Sequence, residues 1–138
     1  MRCRLLLIIL AAAACLAQTA QRPGMSYAVE NPPNPQLAVR QIRGEAVDPI
    51  HMGIPLVELG LYTGAAPHKL LAVGSTDENG KFDFGKKVAP GKYHLIALYP
   101  GLCTANIPLL VNRHGSGKKI ILHMTYPGLG ACSYASLK

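Results

Sequence analysis

Five histidines, four cysteines and seven carboxylates are the groups with which this chain could do chemistry. The histidines stand at His51, His68, His94, His114 and His123. None falls in an H-x-x-x-H spacing and the cysteines form no C-x-x-C, whereas a zinc centre needs three or four convergent ligands. No metal and no cofactor is therefore expected. His51, His68 and His114 lie among turn-forming residues, while His94 and His123 lie in strand-like runs. A cross-strand meeting of His94 and His123 is the one pairing the pattern suggests, with exposed strand histidines the plainer reading. Asp77, Glu78 and Asp83 gather about one turn, but without the ligand spacing of an EF-hand. Gly-x-Ser-x-Gly does not occur, so no nucleophile elbow is present. Asn112 to Gly117 holds glycines without the lysine spacing of a P-loop. No catalytic residue is expected.

The cysteines speak about compartment. Arg2 and Arg4 precede the unbroken apolar run Leu5 to Ala14, which is shorter than the ~20 residues a bilayer demands and suits the apolar stretch of a secretory signal. Small residues at Cys15 and Ala17 predict cleavage before Gln18, so residues 1–17 read as a signal peptide and the chain as secreted or periplasmic. Ala12-Ala13-Ala14-Cys15 also reads as a loose lipobox that would put a lipid on Cys15 and make the chain a membrane-anchored lipoprotein. A leucine three residues before the cysteine is missing from it. Processing at Gln18 leaves Cys103 and Cys132 in an oxidising compartment. If Val111 faces about Lys119 across a hairpin, Cys103 comes near Pro127. Cys132 then returns through a Gly-rich segment to form a disulfide.

The net charge of +7 is scattered, its longest runs being the pairs Lys86-Lys87 and Lys118-Lys119 beside turns. Nucleic-acid binding wants a basic stripe with interleaved stacking aromatics, and aromatics make up only 6% of the chain, with no tryptophan. No nucleic-acid partner is expected.

The elements that would carry these groups are short. Residues 18–36 contain Pro23, Pro32, Pro33 and Pro35 and read as a flexible linker. From Leu37 onward, apolar runs are cut by turn signals every ~8–12 residues, the pattern of an all-β sandwich. Strands are expected at Leu37–Val47, Leu56–Tyr62, Lys69–Ser75, Lys81–Phe84, Lys92–Tyr99, Ile107–Val111 and Lys119–Met124. The last two would pair as a hairpin across Asn112 to Lys118. Asn79-Gly80 suggests a type I′ hairpin turn. The sum is a seven-stranded antiparallel Greek-key sandwich occupying residues 37–138. One strand is unusual: in Lys92–Tyr99, Ile96 and Leu98 back onto Tyr93, Leu95 and Ala97. It is either central and covered on both sides, or it exposes a patch for a partner.

Gly44-Glu45-Ala46-Val47-Asp48, Gly53-Ile54-Pro55-Leu56, Thr76-Asp77-Glu78-Asn79-Gly80-Lys81-Phe82, Pro90-Gly91-Lys92-Tyr93-His94-Leu95 and Pro100-Gly101 follow one another in a familiar order. This series resembles the carboxypeptidase regulatory-like domain, a transthyretin-like (prealbumin-like) β-sandwich, over about Ile42 to Met124. The resemblance implies a module without activity of its own, accessory or binding in role. Transthyretin-like hydrolases of the purine pathway carry a terminal Tyr-Arg-Gly-Ser; here Ser133-Tyr134-Ala135-Ser136-Leu137-Lys138 has no match to it. The expected function is thus a non-enzymatic accessory module binding a protein of the cell envelope or serving a structural role there. The alternative is a carbohydrate-binding module that stacks glycan on Tyr62 and Tyr126. Membrane association follows only if Cys15 is lipidated.

Overall fold

Residues 34–85, 88–128 and 132–138 are described by the computed structural model. They form β1 (Leu37–Val39), β2 (Arg43–Val47), β3 (Glu58–Thr63), β4 (Leu70–Ser75), β5 (Lys81–Asp83), β6 (Gly91–Leu98), β7 (Ala105–Val111), β8 (Ile120–His123) and β9 (Tyr134–Leu137). A five-stranded sheet has the order β1-β7-β6-β3-β4 and a four-stranded sheet the order β5-β2-β8-β9. β1 runs parallel to β7 and β2 parallel to β8, the remaining neighbours being antiparallel. Alternation along each strand sends one side chain in two toward the facing sheet. Leu59 and Leu61 of β3, Leu95 and Ala97 of β6, Ile107 and Leu109 of β7, and Ile120 and Leu122 of β8 meet there in one buried core. Phe82 joins them, with the Phe84 ring 6.5 Å away edge to face.

The sandwich differs from the sequence expectation in ways that have local causes. Among the described residues it has nine strands rather than seven, and its sheets are mixed rather than antiparallel. The single strand expected over Leu37–Val47 breaks at Arg40, whose amide donates to the Ser116 carbonyl at 2.9 Å and whose Nε donates to the Gly115 carbonyl at 3.0 Å. The chain therefore leaves one sheet as β1 and enters the other as β2. The expected hairpin of Ile107–Val111 with Lys119–Met124 does not form, because β7 and β8 lie in different sheets. β1 holds the loop between them, with Asn112 N donating to Val39 O at 3.0 Å and Ser116 N to Ala38 O at 2.9 Å. The turn at Asn79-Gly80 is not type I′ either, since Gly80 alone has positive φ, at 77°. The Asp77 carboxylate shapes it by accepting from Asn79 N at 2.9 Å and Lys81 N at 2.8 Å, and the turn passes the chain from sheet to sheet.

Gly44 has no freedom to be anything larger. β2 lies so close to β8 that a Cβ there would collide with the Ile120 carbonyl.

Cys103 and Cys132 are joined by a disulfide with Cα atoms 5.5 Å apart. The hairpin register that suggested it is absent, and a different set of bonds brings the two together. Cys103 N donates to Thr125 O at 2.8 Å. The buried Ser133 hydroxyl donates to Cys103 O at 2.7 Å and accepts from Thr125 N at 3.0 Å. The expected signal at 1–17, Cys15 and linker residues 18–33 lie outside the described residues. Asn34, placed in the linker by sequence, donates through Nδ2 to Asn106 O at 3.1 Å and Ser133 O at 3.3 Å. Replacing both Cys103 and Cys132 by alanine is expected to lower the unfolding free energy by about 3–4 kcal/mol, the chain-entropy value for a loop of this length. Urea denaturation with and without reductant measures it.

Candidate functional site

The strand with two apolar faces is β6, and it sits between β7 and β3 inside the five-stranded sheet. Leu95 and Ala97 enter the core, while Ile96 and Leu98 point to the sheet's outer side, where Tyr62 and Leu70 pack with them. Register puts Gly60 opposite Ile96 and Glu58 opposite Leu98. Tyr62 is 2% exposed. It cannot offer a ring face to a sugar, which corrects the stacking role expected of it. Burial also pushes the Tyr62 hydroxyl above its ordinary value, so it stays protonated.

The outer face becomes open toward β4. Val73 pairs with Gly60 and so shares the side of Tyr62 and Glu58, while Leu71 sits at a bulge, where the register shifts so that Ala72 pairs with Leu61 and Leu70 with Tyr62. Val73 and Leu71 are 45% and 54% exposed. β4 ends the sheet, and its sequence LLAVGS contains neither charge nor proline. Natural edge strands are usually blunted by such residues. Beyond Val73 lies a groove of about 660 Å³ lined by Leu56, Glu58, Leu98, Tyr99 and Pro100.

Leu56 stands over that groove with 74% of its surface exposed and φ at 60°. Its placement begins at Asp48, whose carboxylate accepts from Ile50 N at 3.0 Å and Met52 N at 2.8 Å and so closes a turn. The buried Thr76 then pins the returning chain. Its hydroxyl donates to Ile54 O at 2.6 Å and accepts from Val57 N at 2.9 Å, and its carbonyl accepts from Leu56 N at 3.1 Å. A β-region leucine in this sequence position would continue a strand. Held at both ends by Thr76, Leu56 is instead turned outward. Sequence reasoning missed both Leu56 and Thr76, although the Pro55 before Leu56 marked an interrupted strand.

The opposite side of the molecule carries a polar cluster. His123 of β8 is directly across from Tyr134 of β9, with rings stacked at 4.5 Å and 14°. His51, in the Asp48 turn with φ at 65°, presents its ring edge-on to His123 at 6.1 Å. His123 Nε2 lies 2.9 Å from the Ser136 hydroxyl. A histidine beside a serine is the nucleophile–base pair of a triad, but among the described residues no carboxylate bonds to the ring to orient it. Sequence reasoning missed this pair because β9 was not expected. His94 and His123, weighed as partners, lie in different sheets. His94 instead meets His68. Among the described residues no three metal-ligating side chains converge. Tyr126 follows β8 and is 52% exposed.

No protein-family model matches the chain, and no curated protein matches it. Among solved structures it is similar to an (S)-allantoin synthase at 11% identity and a TM-score of 0.52, over 77% of this chain and 44% of that one. Sea bream transthyretin in complex with thyroxine aligns at 13% identity and a TM-score of 0.49, over 71% of this chain and 96% of that one. Transthyretin from Sparus aurata aligns at 13% and 0.49, over 72% and 98%. The described residues thus form an all-β fold of two mixed sheets, similar in fold to that synthase.

The histidine pair has a measurable consequence. Burial, and secondarily the neighbouring His51, hold His123 below its ordinary value of 6.5. The unfolded chain therefore takes up this proton first as pH falls. The contribution to stability is present above pH 6.5 and is lost as pH drops through 6.5 toward the lower folded-state value. A proton NMR titration should find His123 below 6.5 and find it raised in His51→Gln.

Proposed function

We propose that this chain is an exported, non-enzymatic accessory module of the cell envelope that binds a protein partner. The β4 edge and the apolar rim formed by Leu56, Leu71 and Val73 receive that partner. Carrying this reading is the edge itself: a six-residue strand free of charge and proline, with two large apolar side chains in solvent. An extended segment added antiparallel to β4 satisfies the strand's outward amides and carbonyls, and its side chains cover Leu71 and Val73. The groove between Leu56 and Pro100 then takes a further apolar residue of the same segment. Export is supported by the signal-like N-terminus and agrees with the Cys103–Cys132 disulfide. The resemblance to carboxypeptidase regulatory-like domains supports an accessory role without catalysis.

The test is capture from an envelope extract by the wild-type protein and by a Leu71→Glu, Val73→Glu double variant. Both positions are exposed, so the variant should keep its melting temperature within a few degrees. A protein retained by wild type and reduced at least tenfold with the variant is the expected result. Equal capture by the two would overturn the reading. Glycan binding lost on Tyr126→Ala would replace it with the carbohydrate alternative.

A further inference from the structure

The outer face of the four-stranded sheet is separate from the β4 edge, and its side chains follow from register. Ile120 and Leu122 of β8 enter the core, so Lys119 and Ile121 turn outward. On one side of β8, the parallel pairing of Gly44 with Ile120 and Glu45 with Ile121 sets Arg43 beside Lys119. On the other side, Lys119 and Lys138 exchange both backbone bonds, at 2.9 and 3.0 Å, and prolong the β8–β9 ladder by one pair. Arg43, Lys119 and Lys138 thus stand in a row across three adjacent strands, with about 4.8 Å between strands. Lys118 adjoins the row. These cations are scattered in sequence, and only the parallel crossing of β2 and the unexpected β9 bring them together.

The row is an unfavourable arrangement for the protein alone. Like charges directly opposite in an antiparallel pair are destabilising, and Lys119 faces Lys138. The acidic side chains of this face lie to one side of them. Asp83 is opposite Arg43, and Glu45 is opposite Lys81, so the two lysines face no acidic residue in the ladder. Beside the row lies a groove of about 520 Å³, with Glu45 and Ile121 in its wall and floor. Ile121 is 5% exposed although it points away from the core, because the aliphatic stems of the long side chains around it close over it. The groove therefore has a sunken apolar floor and a cationic rim, on which Lys118, Lys119 and Lys138 are exposed.

We propose that this groove binds an acidic polysaccharide, whose carboxylate or sulfate groups meet Arg43, Lys119 and Lys138 in turn. One cation per strand is a repeat comparable with the length of a pyranose unit, so a single glycan chain lying across the strands meets successive cations. The Arg43 guanidinium is a planar fork that donates to both oxygens of an oxyanion, and it is held at the groove by Nη2 donating to Gly117 O at 3.4 Å. An anion between Lys119 and Lys138 relieves their repulsion. The C–H face of a pyranose suits the Ile121 floor. A bilayer is the poorer fit, since membrane surfaces bind apolar side chains that protrude beside the cations, and Ile121 is recessed. Single-stranded nucleic acid wants stacking rings among the cations, and among the described residues no aromatic side chain lines the groove.

The experiment is fluorescence anisotropy of end-labelled hexasaccharides with the full chain. Hexagalacturonate and a heparin hexasaccharide are the acidic probes, and maltohexaose is the neutral one. At least one acidic probe should bind, more weakly as salt is raised, and maltohexaose should not. Lys119→Glu should weaken binding at least tenfold, as expected for loss of a charged hydrogen bond. It also sets a carboxylate opposite Lys138, so its melting temperature should equal or exceed that of wild type and loss of fold cannot explain the loss of binding. Lys92→Glu makes the same charge change on the exposed surface of β6 in the other sheet, and should stay within twofold of wild type. Absence of binding to both acidic probes would overturn the proposal. Equal weakening by Lys119→Glu and Lys92→Glu would do so too, since it would mark general attraction by net charge. Phosphatidylglycerol vesicles or a single-stranded oligonucleotide bound more tightly than either probe, and released by Lys119→Glu, would give the groove to that ligand instead and overturn the glycan assignment.

Discussion

One strand, β6, carries apolar residues on both faces, and a two-layer sandwich has only one interior. Leu95 and Ala97 take that interior, lying between the sheets with β3 and β7 on either side. Ile96 and Leu98 must then be covered from outside. Tyr62 and Leu70 turn onto them and form a second, smaller apolar cluster. That cluster is what makes the outer side of the five-stranded sheet different from a solvated sheet face, on which polar residues would alternate with the core. It continues outward through Val73 and Leu71 to an edge with no charge on it. The proposed docking surface reaches β6 itself through Leu98, which lines its groove.

Where that surface ends is decided by close backbone contacts at one end of the sandwich. The Asp77 turn folds against the chain before β3, so tightly that Gly80, with its positive φ, packs against the Ala46 carbonyl and the Gly53–Ile54 backbone. Ala46 N donates to Gly80 O at 2.8 Å and Ile54 N to Ala46 O at 2.9 Å. Thr76, adjoining the same turn, satisfies three backbone groups of residues 54–57 with its hydroxyl and carbonyl. These bonds are buried, where each unmet partner costs about 1–3 kcal/mol. Leu56 is therefore held outward by structure around it and not by its own preference. A leucine at positive φ in solvent is an expensive arrangement, and it is found at the mouth of the groove.

Much of this was legible from short-range pattern. The two-faced apolar run of β6 and the all-β class are both statements about neighbours in sequence. The structure agrees with each. What escaped was long-range. Nothing local to Arg40 announces that the chain changes sheets there, since the cause is a pair of bonds to Gly115 and Ser116. The parallel partners of β1 and β2 come from chain crossings that no turn signal encodes. β9 has the plain sequence Tyr134-Ala135-Ser136-Leu137 and is a strand because β8 lies beside it. The histidine pairs depend on that same long-range register, so spacing rules written for single helices or hairpins passed over them. The disulfide was reached by a register that does not exist, and its true support is Ser133.

The central claim is that the β4 edge and its apolar rim are covered by another protein where this chain works. Carbene footprinting of Leu56, Leu71 and Val73 reads this directly, comparing the purified protein with the same protein labelled in intact producing cells. Labelling at Tyr126, exposed and away from β4, normalises the two samples. The account predicts that all three rim residues are labelled several-fold less in cells than in solution, with Tyr126 unchanged. Equal labelling of the rim in both settings would contradict it.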